Sequence, residues 1–353
     1  MMPTTSSAGP PPTECPPCVN RKTKQTWPCG STWKEDCNNV TCAGGVLQLS
    51  PVPCPEYSHP NCPRGLAVNV SDGCCERPFC DCRCELYGDP HYISFQGVTF
   101  DFFDACTYVL VEEQSPQYNL TIAVDNFYCI PGLEASCVKG VIVKYKGNTA
   151  TLTIDSLTVQ ASLNNVLIPV PFEEFGMRFE STGYVTTLVL PEIRSYVSLT
   201  PRFSLIVNLA MENFVNNTQG QCGVCGGGSC IRRGGHIEND KCCDKTAYDW
   251  VYEDPQKPKC ASAPKNLPCD SPTPSPTPCI NSKCELLRQP LFAECRDNVD
   301  LSLIIKNCEF DSCGSAFPCS SWRKLQTSVK NMVSVLSGES TLMEVAAQSV
   351  QKD

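Results

Sequence analysis

The chain has 353 residues, 28 of them cysteine, and a formal charge of −9; this length fits two or three domains, and the cysteine usage is that of disulfide scaffolds from oxidising compartments. Basic residues occur only in short pairs such as Arg21-Lys22 and Arg232-Arg233, which argues against nucleic acid or an anionic membrane as partner. No window approaches 18 consecutive apolar residues, so no spanning helix is predicted. The only histidines are His59, His91 and His236, and the CxxC pairs Cys15/Cys18 and Cys222/Cys225 lie far apart. Paired disulfides therefore fit better than structural zinc, with a connectivity the sequence leaves open. Sequons at Asn39, Asn69, Asn119 and Asn216 mark expected surface positions on a chain that passes through the secretory route.

Residues 1–13 are rich in Pro, Thr and Ser, a composition that stays extended. They lack the apolar stretch of a signal peptide, which for a secreted composition implies an internal fragment. Residues 14–84 hold twelve cysteines with Gly and Pro punctuation and no long apolar period, the pattern of a small cross-linked module. Residues 85–260 change texture, with no cysteine between Cys137 and Cys222. The segments "TYVLVEE", "YNLTIAVD", "GVIVKYK", "LTVQASL", "YVTTLVL", "YVSLT" and "FSLIVNL" alternate or run apolar, separated by turn signals such as "KGNT", "LNN", "STG" and "LPE". They predict an antiparallel β-sandwich. Cysteines return at its rims, where Cys84, Cys106, Cys129, Cys137, Cys222, Cys225, Cys230, Cys242, Cys243 and Cys260 are expected to form disulfides as loop staples. Residues 261–278 read as an extended Pro-rich linker. Residues 279–320 place apolar residues near helical spacing between cysteines, a partial helical module. The tail at 321–353 carries Leu325, Val329, Met332, Val333 and Leu336 in an amphipathic helical pattern. The expected fold is thus mainly β, a sandwich flanked by small disulfide-rich modules of which the C-terminal one is helical.

Several of these stretches resemble a known family. "GDPHYISFQG", "CTYVLVEE", "DNFYCIPG", "PEIRSYVSLT", "NNTQGQCGVCGG" and "DWVYEDPQKPKC" are similar to the von Willebrand factor type D domain as it occurs in gel-forming mucins. "STWKEDC" through "DGCCERPFCDC" resembles the type C-like module before that domain, and "CELLRQPLFAEC" to "NCEFDSC" the eight-cysteine module after it. The resemblance implies a structural, non-enzymatic role in a secreted mucus polymer, with other mucin chains and extracellular glycoproteins as partners. An adhesive type D protein of the zonadhesin-like or IgG-Fc-binding-like group is the alternative. The family's calcium positions are altered here: Gln96 stands where an Asp is usual, and "CGVCGGGSC" puts Val224 and Cys225 in the ligand loop. Calcium seeks several oxygen ligands, so no cofactor is expected, although Glu238 and Asp240 offer carboxylates nearby. The cysteine at position 225 is expected to form an extra disulfide instead.

In related mucins the G-D-P-H sequence is linked to self-cleavage under mild acid, and it stands here as Gly88, Asp89, Pro90 and His91. The Asp89 carboxylate can attack its own main-chain carbonyl and close a five-membered anhydride while Pro90 leaves as a secondary amine. Acid serves the leaving group and ionisation serves the nucleophile, so the rate should peak below neutrality. His91 is the candidate proton donor, since imidazole ordinarily titrates at about pH 6.5. The same four residues also make a plain turn into a strand, and a well-ordered bond need not reach attack geometry. A further alternative is disulfide exchange through Cys222 and Cys225, although this CxxC lacks the helix start that redox pairs use.

Overall fold

A computed structural model describes residues 15–58, 60–88, 90–129, 136–254, 257–271, 284–290 and 305. The expectations for residues 1–13, for Asp89, for most of the module at 279–320 and for the tail at 321–353 lie outside the described residues. The chain divides into two compact units, one formed by residues up to 60 with 67–79, the other by 61–66 with everything from Cys80 onward.

In the first unit, β1 (Cys18–Val19) pairs with β2 (Thr26–Trp27), and β3 (Thr32–Glu35), β4 (Asn38–Ala43) and β5 (Val46–Pro51) form an antiparallel three-stranded sheet. A sixth strand, β6 (Ala67–Ser71), follows. Its interior is small: Cys18, Val40 and Cys42 are the buried side chains of these strands. So little apolar burial cannot offset chain entropy unaided. Four disulfides make up the difference by restricting the unfolded chain: Cys15–Cys29, Cys18–Cys42, Cys37–Cys74 and Cys54–Cys75.

The second unit is built from strands β7 (Glu76–Tyr87, which starts in the first unit), β8 (His91–Ile93), β9 (Thr99–Asp101), β10 (Thr107–Glu113), β11 (Thr121–Tyr128), β12 (Ser136–Tyr145), β13 (Asn148–Asp155) and β14 (Thr158–Leu163). It continues with β15 (Val166–Ile168), β16 (Phe172–Glu174), β17 (Met177–Ser181), β18 (Thr186–Leu190), β19 (Ser195–Leu199), β20 (Leu205–Ala210) and β21 (Thr218–Gln219). One sheet runs β15-β14-β13-β12-β11-β10-β21 and the other β16-β17-β18-β19-β20-β7-β8-β9. Every register given for a strand pair is antiparallel, for instance Gly140↔Thr153 and Val197↔Val207. The fold is therefore mainly β, as the alternating segments imply. Tight turns set the register. Lys146-Gly147, Asn164-Asn165 and Phe175-Gly176 each link two strands with both residues at positive φ, the conformation whose twist matches paired strands.

Inward faces of both sheets meet in one core, with Val124, Val141 and Leu152 from the first and Leu188, Val197 and Val207 from the second. Each buried side chain of this size stabilises by roughly 1.5–3 kcal/mol. Two cystines join that core. Cys82, Cys84 and Leu86 stand on one face of β7, and all three are fully buried. The expectation that cysteines act only as loop staples at the rims is corrected here: on a strand, a sulfur every second residue fills the inward face as an apolar side chain would. The expected linker also needs correction in its first part. Residues 261–271 are held to the domain by Cys242–Cys269, by Arg232 Nη2 donating to Leu267 O at 2.7 Å, and by Asn266 N donating to Asp249 Oδ1 at 2.6 Å.

Candidate functional site

Strands β7 and β8 pair as a hairpin in which Tyr87 faces His91 and Leu86 faces Tyr92. Gly88 and Pro90 are the described residues between the two strands. Gly88 takes φ +68°, a left-handed value that suits a residue without Cβ, and Pro90 is buried. A second hairpin brings His91 opposite Asp101 of β9. His91 is 2% exposed, and its Nδ1 lies 2.6 Å from Asp101 Oδ1. The Tyr87 ring sits 5.6 Å away, and Tyr92 stacks on Phe100 at 4.9 Å and meets Phe102 edge-on. Burial pushes the Tyr92 phenol well above its ordinary value, so it stays neutral, and it receives a hydrogen bond from Asn126 Nδ2 at 3.4 Å. The imidazole next to Pro90 is thus held by the Asp101 carboxylate and flanked by the Tyr87 ring, while Tyr92 and its aromatic partners pack on the opposite face of the hairpin. Asp89 lies outside the described residues. Asp101, which sequence reasoning did not single out, is the residue that completes this arrangement.

The same β7 strand is tied to the CGVC loop twice, through Cys82–Cys225 and Cys84–Cys222, with Cα separations of 5.5 and 5.7 Å. Cys222 and Cys225 are therefore not bonded to one another, and both are fully buried. The loop reaches its place by close backbone approach. Strand β10 bulges between Val109 and Val111, and the carbonyls of Val109 and Leu110 accept the N–H groups of Gln221 and Cys222 at 3.0 Å each. Gly220, at φ +126°, passes so near that a Cβ would stand 2.3 Å from Leu110 O. Thr218 Oγ1 then accepts Cys225 N at 2.7 Å and donates to Gly223 O at 3.1 Å.

The remaining expected cysteines pair as Cys106–Cys260, Cys129–Cys137, Cys230–Cys243 and Cys242–Cys269. The altered calcium positions are neighbours in space: Phe95 N donates to Cys222 O, and Ser94 Oγ lies 2.8 Å from Ser229 Oγ. Their side chains do not suit the ion. Gln96 supplies at most an amide, Val224 nothing, and Cys225 is spent in a disulfide. Glu238 is engaged by Arg232 Nε at 2.8 Å, and that contact holds its carboxyl below the usual range; Asp240 is exposed at the start of a short 3-10 turn. Glu238, Cys242 and Cys269 also cluster, but the two sulfurs are bonded to each other. Of the sequons, Asn69, Asn119 and Asn216 are exposed and Asn39 is half-buried.

This fold and cross-link frame define a class. Residues 84–229 match the von Willebrand factor type D domain, and they are such a domain. The chain is 32% identical over 339 residues to Mucin-2 of Homo sapiens, covering 88% of this chain and 6% of that protein. It is 30% identical over 331 residues to the intestinal mucin-like protein of Rattus norvegicus, covering 88% of this chain and 39% of that protein. Against Mucin-5AC of Homo sapiens it is 30% identical over 338 residues, covering 85% of this chain and 6% of the relative. The chain is thus a type D region of the gel-forming mucin kind, secreted and disulfide-bonded, and it spans well under half the length of these relatives. No helix among the described residues is long and apolar enough to cross a membrane.

Proposed function

We propose that the chain is a disulfide-locked structural segment of a secreted, gel-forming mucin. It adds braced packing to a mucus network of other mucin chains and extracellular glycoproteins, and its Asp89-Pro90 bond breaks under mild acid. The observation that carries this reading is the β7–β8 hairpin, clamped upstream by two buried cystines and presenting, just past the turn, a buried His91 fixed on Asp101. In the reaction the ionised Asp89 carboxylate attacks its own main-chain carbonyl carbon. A C–O bond forms, the C–N bond to Pro90 breaks, and the proline nitrogen takes a proton that His91 can supply. Water, or a hydroxyl or amine of a neighbouring chain, then opens the anhydride. The event happens once per molecule and is not turnover, so the segment is no enzyme. Disulfide exchange at Cys222 and Cys225 loses support, because attack needs an accessible sulfur and both are sealed in the core.

The test is to hold the purified, secreted chain at about pH 5.5, near the imidazole range, for several days, then reduce, alkylate and map it by mass spectrometry. A peptide with Pro90 as its N-terminus is expected from the parent and not from Asp89→Asn. An intact parent chain, or equal cleavage in the variant, would reject the scission and leave the structural role standing.

A further inference from the structure

Across the first sheet, one row of side chains stands in register: Gln219 opposite Glu112, Glu112 opposite Thr121, Thr121 opposite Lys144, and Lys144 opposite Thr149. These residues are half-buried or exposed, while their chain neighbours Val111, Ile122, Val143 and Ala150 are fully buried. The row is therefore the sheet's outward face. A cleft of about 630 Å³ runs over it, lined by Asn119, Thr121, Lys144, Asn148 and Thr149 among others. A second cleft of about 890 Å³ shares Glu112, Thr121 and Lys144 with the first and extends to Arg233, Tyr252 and Lys257. Both lie in the size range of small-ligand clefts, roughly 300–1,000 Å³.

Asn119 belongs to the sequon Asn119-Leu120-Thr121 and is exposed. Its loop cannot swing freely. The Glu113 carboxylate accepts the N–H groups of Gln117, Tyr118 and Leu120 at 2.9–3.2 Å, and Leu120 is 1% exposed. A sugar attached at Asn119 therefore starts inside the cleft, at a fixed point. Ahead of it stand hydroxyls, an amide, an ammonium and a carboxylate, which match the hydroxyl and acetamido groups of N-acetylglucosamine. Beyond them the Lys144 ammonium sits 5.0 Å over the Tyr252 ring, and its stem with the ring offers apolar area for a pyranose face. Covalent attachment makes the contact intramolecular, so weak individual bonds suffice to fill it.

We propose that the N-linked glycan on Asn119 folds back along this continuous cleft and is seated on the Glu112–Thr121–Lys144 row. Asn69 and Asn216 are exposed and line neither cleft, so glycans there serve as internal controls.

The experiment uses the full chain secreted from mammalian cells. Glycan release by a peptide N-glycosidase is followed on the native protein by site-resolved mass spectrometry. A seat occupied about 90% of the time slows release about tenfold. Release at Asn119 is expected to lag Asn69 and Asn216 by about that ratio, and the lag should vanish after denaturation. Lys144→Ala combined with Tyr252→Ala should bring Asn119 to the control rate; Lys144→Gln serves if that pair fails to secrete, and should shorten the lag. Equal native rates at the three sites, an unoccupied Asn119, or a lag unchanged by the variants would overturn the proposal.

Discussion

Cys82–Cys225 and Cys84–Cys222 span 143 and 138 residues, and by the loop-closure relation either one alone would stabilise by roughly 5 kcal/mol. They are not alone. With one intact, the other closes only a small ring, because Cys82 and Cys84 lie two residues apart and Cys222 and Cys225 three; a ring of about seven residues contributes about 2 kcal/mol. Removing both leaves strand β7 and the CGVC loop joined through Cys106–Cys260, a path shortened further through Cys242–Cys269 and Cys230–Cys243. That longer circuit, about 40 residues round, costs roughly 4 kcal/mol more to lose. Either cystine replaced by two alanines should thus cost about 2 kcal/mol, and both together about 6, which exceeds the sum of the singles by roughly 2 kcal/mol. In melting temperature the single replacements should lose about 4–8 °C and the double about 12–24 °C. Thermal and urea unfolding of the secreted variants, followed by circular dichroism, measures all four corners of the cycle. A single replacement that already costs roughly 5 kcal/mol, or a double that merely adds, would refute the reasoning.

Other outcomes follow from single residues. Gly220→Ala places a methyl against Leu110 O at a backbone angle that side chains avoid, so it should destabilise by roughly 3 kcal/mol or more and show as a lower urea midpoint or lost secretion. Burial pushes the Asp104 carboxyl above the usual aspartate range, against the hydrogen bond it receives from Cys106 N. Its folded form therefore holds the proton more tightly than its unfolded form. The stability this gives is fully present below the ordinary aspartate value and is lost as pH rises through the raised one. Asp104→Asn, which keeps the acceptor for Cys106 N, should accordingly gain on the parent between acid and neutral pH. Urea midpoints at several pH values check the sign, and a variant that falls behind at pH 7 contradicts it.

Much of the sheet architecture could be read from alternation. "TYVLVEE" is β10 residue for residue, and "KGNT" and "LNN" sit at tight turns between paired strands. The omissions share a physical cause. Strand β17 buries only Met177 and Phe179; so few inward residues give a weak period. Strand β7 is hidden in the sequence because two of its inward positions are sulfurs, which there signal cross-links rather than a strand face. At the candidate site, the G-D-P-H run was plain in the sequence, but its partner was not. Asp101 lies ten residues downstream, and only the β8–β9 hairpin closing over residues 94–98 sets it against His91. The run "SFQG" that makes this turn reads, in sequence alone, as an altered cation motif. The three bridges Cys82–Cys225, Cys84–Cys222 and Cys106–Cys260 depend on contacts more than a hundred residues apart, which local spacing does not encode.

Position decides what a cut at residues 89 and 90 would do. Cys82 and Cys84 lie ahead of the bond, whereas Cys222 and Cys225 lie behind it, so the severed halves remain joined by two sulfur links. Acid would open a nick without shedding a fragment, and tension along the polymer would be rerouted from peptide backbone to cystine. Release would then require reductant as well, making thiol chemistry the final control over when such a strand lets go.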